Sequence, residues 1–192
     1  MTAPSAKAST SGHCRFWAVV LASLAPWPAW AVDYDGPRID TVDVAGDLSQ
    51  VRRQMRHVGH EGHYAWTHWD VRYHFTSRPG RDGCVVATVK VVLTTTITMP
   101  HLRAEASTAE VRRHWKTFEP ALRTHEMGHA DLALSGARAM ESALWHVPAQ
   151  PRCAEIDRLA KEKADAILDE MHHHDLDYDA RTRHGRTQGA VF

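Results

Sequence analysis

Cysteine is scarce: three residues in 192, at positions 14, 84 and 153. So few thiols make poor evidence for a metal site. An excess of charge of either sign is also missing, with 23 Lys plus Arg against 23 Asp plus Glu. No basic patch of the kind nucleic acid requires stands out, which sets that class of partner aside. Past residue 30 no stretch is long and apolar enough to cross a bilayer. There is no internal repeat and no low-complexity segment.

What is present begins with the N-terminus. Lys7, His13 and Arg15 form a basic start, and an apolar run from Phe16 to Trp30 follows. Ala29-Trp30-Ala31 matches a small-x-small cleavage pattern. Residues 1–31 therefore read as a signal peptide, with the exported chain starting at Val32. The run is short and carries Pro26 and Pro28, which argues against a membrane anchor. Cys14 does not follow a lipoprotein-type small-residue box. Residues 32–192 are enough for one domain with its own core. Losing Lys7 and Arg15 leaves 21 basic against 23 acidic residues, a charge of about −2. Cys84 and Cys153 remain, an even pair in an exported chain, so a Cys84–Cys153 disulfide is expected.

Histidine is abundant, with 15 residues. The sequence is organised around His125-Glu126-Met127-Gly128-His129. On a helix, positions i and i+4 lie one turn apart on one face, so two imidazoles can share one ion. The Glu beside the first ligand is placed to act as a general base. Leu122, Leu132, Ala133, Met140 and Leu144 recur at roughly helical spacing around it. The high histidine content raises the rate of chance matches, so the helical context matters as much as the motif.

The elements follow from periodicity. Pro37 to Ala45 alternates apolar and polar, which predicts a strand. Asp47 or Ser49 caps a helix through Leu48, Val51, Met55 and Val58. His57, His60, His63 and His68 form a histidine-rich patch, and Gly59 and Gly62 make its first part a polar loop. Tyr64 to Phe75 and Cys84 to Met99 predict an antiparallel hairpin around a turn with Pro79, Gly80 and Gly83, ended by Pro100. Ser107 or Thr108 caps a helix with Val111, Trp115 and Phe118 on its apolar face. Pro120 is expected to break or kink it and to start the motif helix, which runs to about His146. A last helix carries Ile156, Leu159, Ala160, Ala164, Ile167, Leu168 and Met171, and the short connection predicts antiparallel packing. His172-His173-His174 reads as a solvated helix end, followed by a polar tail. The fold class is α+β, zincin-like: a small antiparallel sheet packed with a helical half that carries the motif.

A catalytic zinc needs a third protein ligand. The metzincin pattern fails, because Leu132 and Ser135 stand where it needs Gly and His. Glu155, Glu162 and Glu170 on the next helix are candidates; Glu141 lies too far along the motif helix itself. The motif together with Tyr178-Asp179-x-x-Thr182-x-His184-Gly185 resembles a family of predicted secreted zinc-dependent proteases, domain of unknown function 922. The resemblance covers most of Val32 to the end, in element order as well as in motifs. It implies a zinc peptidase and points to His184 or Asp179 as third ligand. His184 is favoured because neutral imidazole suits zinc, with Asp179 the alternative as ligand or as support to a ligand His. Tyr178 is expected to donate a hydrogen bond to a developing oxyanion.

The expectation is therefore an exported, periplasmic or secreted Zn2+ metallopeptidase acting on peptide or protein substrates. Its ligands are His125, His129 and His184, and its general base is Glu126. The alternative is an exported zinc-binding or interaction protein without hydrolysis.

Overall fold

The computed structural model describes residues 32–192, so the expected signal peptide lies outside the described residues. The chain order is β1 (Arg38–Gly46), α1 (Leu48–Met55), β2 (Trp66–Gly80), β3 (Gly83–Ser107), α2 (Ala109–Trp145) and α3 (Cys153–Thr182), then a short 3-10 turn at Arg186–Gln188. The architecture is α+β. Among the described residues, no helix is long and apolar enough to cross a membrane.

The sheet order is β1-β3-β2. β2 and β3 form the expected antiparallel hairpin, paired from Trp66 opposite Thr98 to Gly80 opposite Gly83 with a one-residue register shift between Thr76 and Ser77. β1 joins the other side of β3 in parallel, with Arg38 opposite Thr96. The sheet is thus mixed rather than wholly antiparallel. Periodicity marks a strand but not the edge it adds to, and that depends on the path through α1 and β2.

Two prolines behave differently from their local expectation. Pro100 does not end β3, which continues to Ser107. The hairpin register starts at Trp66 and Thr98, so around Pro100 β3 is bordered only by β1, where Val42 faces it. A strand open on one side tolerates a missing N–H. Pro120 does not start a new helix; it lies inside α2, which runs unbroken for 37 residues. The ring removes one helical hydrogen bond. Core packing at Phe118 and Leu122, 0% and 4% exposed, ties both flanks down.

Caps form as their residue types dictate. The Asp47 side chain accepts from the Gln50 N–H, and the Gln50 side chain reaches back, a reciprocal capping box. Thr108 caps α2 through the Val111 N–H. α3 continues past the three histidines to Thr182, so the helix expected to end at the histidines runs on into the polar tail.

α2 belongs to two apolar clusters. One gathers Val44, Met55, Ile97, Phe118 and Leu122; the other gathers Leu93, Met140, Leu144, Ile156 and Ala160. α3 packs antiparallel to α2, with Met171 against Gly136 and Tyr178 against Gly128. The expected Cys84–Cys153 disulfide is formed, with a Cα–Cα distance of 5.0 Å, and ties the start of β3 to the start of α3. Such a closure contributes about 4 kcal/mol, mainly by constraining the unfolded chain.

Candidate metal centre

The site is built where the middle of α2 meets the last turns of α3. His125 and His129 project from one face of α2 and are 3% and 6% exposed. Their Nε2 atoms stand 3.3 Å apart. Asp179 Oδ1, from α3, lies 3.1 Å from His125 Nε2 and 3.3 Å from His129 Nε2. Among the described residues, these three form the one group of such donors that could hold a metal ion.

The spacing tests whether an ion fits. Ligand atoms at about 2.0–2.1 Å from a tetrahedral zinc stand about 3.3 Å from one another. The three separations match that edge length. The other ring nitrogens are engaged: His129 Nδ1 meets Asp175 Oδ1 at 2.7 Å, and His125 Nδ1 meets Gln188 Oε1 at 3.0 Å. Nδ1–H donation to those oxygens leaves each Nε2 lone pair aimed at the centre, the arrangement that orients metal-binding imidazoles.

Electrostatics follow from this crowding. Burial opposes a charge on His129, but its hydrogen bonds to Asp175 and Asp179 prevail and push its pKa up to about 10. Burial would raise the Asp179 carboxyl, yet hydrogen bonds from His125 and His129 hold it well below the usual carboxylate range. Without an ion, the cluster keeps a proton where a cation would sit. Glu126, 4% exposed, is pushed up by burial, against the pull of Thr67 and the two histidines. The Thr67 hydroxyl, on β2, lies 2.7 Å from Glu126 Oε2 and fixes the carboxylate.

The structure brings Asp179, not His184, into the ligand group. His184 lies beyond the end of α3 at a φ of 51°, with its side chain 53% exposed. Its Nδ1 comes to 3.3 Å from Asp179 Oδ1, and its ring lies 4.3 Å from that of His63. The helix Glu candidates are elsewhere: Glu155 pairs with Arg152, Glu162 with Arg158 and Glu170 with His174. Tyr178 is not turned toward a reacting carbonyl. Its hydroxyl donates to the His125 carbonyl at 3.3 Å and accepts from Gln188 Nε2 at 3.0 Å. Its ring stacks on His125 at 5.2 Å and 10°. Gly128 allows this, because a Cβ there would collide with the Tyr178 hydroxyl.

Three supporting residues escaped sequence reasoning: Thr67, Asp175 and Gln188. Asp175-x-x-x-Asp179 repeats the i, i+4 spacing of His125-x-x-x-His129, a signal that two helices present one turn each to a shared centre. Nothing local marks Thr67 or Gln188. The histidine-rich loop also does more than face solvent: His60 to Tyr64 line a cleft of about 520 Å³ together with Thr67, Glu126, His129 and Asp179.

No curated protein and no solved structure matches the chain. The model of one family, described as bacterial protein of unknown function (DUF922), matches residues 39–185, most of the described chain. The segment so matched holds the whole triad of His125, His129 and Asp179, and the chain belongs to that family.

Proposed function

We propose that the protein is an exported zinc-dependent peptidase whose ion is held by His125, His129 and Asp179. The observation that supports this most is the convergence of three ligand atoms, 3.1–3.3 Å apart, in a cleft that Glu126 also lines. A bound zinc ion supplies Lewis acidity, which polarises a scissile carbonyl and acidifies water.

The chain's own residues do the rest. Glu126 takes the proton of the attacking water and delivers it to the leaving amine. Its burial and its raised pKa suit that return trip, since the carboxyl must carry the proton between the two steps. Thr67 holds the carboxylate in one orientation. Asp175 and Gln188 hold the two imidazoles. Tyr178 is a positioning residue: it braces the His125 ring and backbone rather than touching substrate. His184, exposed beside Asp179, is outside the ligand set in this reading. Export rests on the basic-then-apolar segment of residues 1–31 and agrees with a disulfide between Cys84 and Cys153.

Metal analysis of the full chain and variants tests the assignment. One zinc per chain is expected in the wild type and in His184→Ala, with loss in His125→Ala and Asp179→Ala. Glu126→Gln is expected to keep zinc while hydrolysis of an unfolded protein substrate drops by about 10²–10⁴. Zinc retained in Asp179→Ala, or unchanged hydrolysis by Glu126→Gln, would sink the corresponding role.

A further inference from the structure

The cleft around the metal group is chemically divided. Among the described residues, the exposed large apolar side chains are Ile39, Val42, Trp66, Leu176 and Val191. The first two lie on edge strand β1; the other three all line this cleft. Trp66 is 42% exposed, Leu176 70% and Val191 56%. Single exposed apolar residues are ordinary, but three converging on one concave site mark a binding surface.

Two arginines, Arg183 and Arg186, line the same cleft. Neither has a carboxylate within ion-pair distance among the described residues. The acids nearby are already engaged: Asp175 with His129, Asp179 with both ligand histidines, Glu126 with Thr67. Glu61 stands beside His60 at 4.0 Å. Guanidinium groups that neither these acids nor Glu61 reach are free to receive a carboxylate from outside.

The order along α3 places these features. Leu176 and Asp179 stand at i and i+3 on α3, Arg183 is the left-handed residue that caps the helix after Thr182, and all three line the cleft. The ligand carboxylate therefore sits between an apolar wall and a cation. Leu176 to Arg183 spans about 10 Å of helix axis. An extended peptide covers that distance in about three residues. We propose that the cleft recognises an extended peptide by a large apolar side chain on one side of the scissile bond and a carboxylate, about three residues away, on the other. This substrate class rests on the peptidase reading above.

Binding of defined peptides tests it without relying on turnover. The probe is an N-acetylated, C-amidated peptide with phenylalanine and glutamate three residues apart. It is titrated into the zinc-loaded Glu126→Gln chain and, separately, into the metal-free wild type. Replacing the glutamate by glutamine, or the phenylalanine by alanine, is expected to weaken binding by about tenfold each. Joint Arg183→Gln and Arg186→Gln is expected to erase only the glutamate preference, and Leu176→Ser only the phenylalanine preference. All three side chains are exposed, and circular dichroism checks that the variants fold. A glutamine peptide with a free C-terminal carboxylate separates the two sources: tight binding assigns the cation pair to a chain end, weak binding to an acidic side chain.

Equal binding of the glutamate and glutamine peptides, or a preference that survives loss of both arginines, overturns the proposal. The metal-free arm keeps the two readings apart. Selective peptide binding by a chain that takes up no zinc would leave the cleft's recognition standing and remove the peptidase. Zinc-dependent hydrolysis with no selectivity would do the reverse.

Discussion

The proton on His129 is held by two carboxylates, and its displacement is measurable. In the folded, metal-free chain its pKa is raised from 6.5 to about 10. A raised folded value means the stabilisation is complete below the unfolded pKa and lost as pH climbs through the folded one. Metal-free protein should therefore lose stability between about pH 6.5 and 10, followed by urea denaturation at stepped pH. Asp175→Asn should flatten that slope, because the negative charge at the shortest contact to the ring goes with it. Zinc requires a neutral imidazole, so uptake at neutral pH should expel a proton. Calorimetry in two buffers of different ionisation enthalpy reads that release, and no buffer dependence would contradict it.

At the scale of elements, α2 and α3 are held in register by small residues that accept large ones. Gly128 receives Tyr178 and Gly136 receives Met171. Gly128→Ala should improve local helix propensity by about 1 kcal/mol. It should nevertheless destabilise the chain by about 1–3 kcal/mol, the cost of overpacking, and weaken zinc affinity as Tyr178 leaves its place under His125. Equilibrium denaturation and a competitive zinc titration measure the two effects. Pro120→Ala should act in the opposite direction. It restores a hydrogen bond and removes a clash inside a continuous α2, so a gain of up to about 3 kcal/mol is expected by the same denaturation.

Most of these elements were legible before the fold was known, and the exceptions have physical causes. Alternation marked β1 and the hairpin, and capping residues marked the starts of α1 and α2. Pro100 and Pro120 depart from the local rule because tertiary packing decides at both positions. The metal motif was visible because both histidines and the Glu are close in sequence. The third proposed ligand was narrowed only to His184 or Asp179, because the two are five residues apart and differ mainly in where α3 stops. With α3 running to Thr182, Asp179 shares a face with Asp175 and points at α2, while His184 falls beyond the end. Thr67 reaches Glu126 from another element altogether, a contact no local pattern encodes.

At the scale of the whole molecule, structural bracing and chemistry sit at opposite ends of the helix pair. Cys153 opens α3 and Asp179 lies 26 residues later, about 40 Å along the axis. Joint Cys84→Ala and Cys153→Ala should cost about 4 kcal/mol in chemical denaturation. Zinc stoichiometry, measured by metal analysis on folded protein, should remain one per chain.

The ligands arrive in a fixed order in time as well as in space. His125 and His129 are synthesised 50 residues ahead of Asp179, and their braces Asp175 and Gln188 also come late. If the proposed export holds, a chain threaded from its N-terminus through a translocation pore has two imidazoles on the far side well before it has a carboxylate to complete the triad. On the proposed peptidase reading, it would pass through that interval without the full ligand set, and so without activity toward the machinery still delivering it.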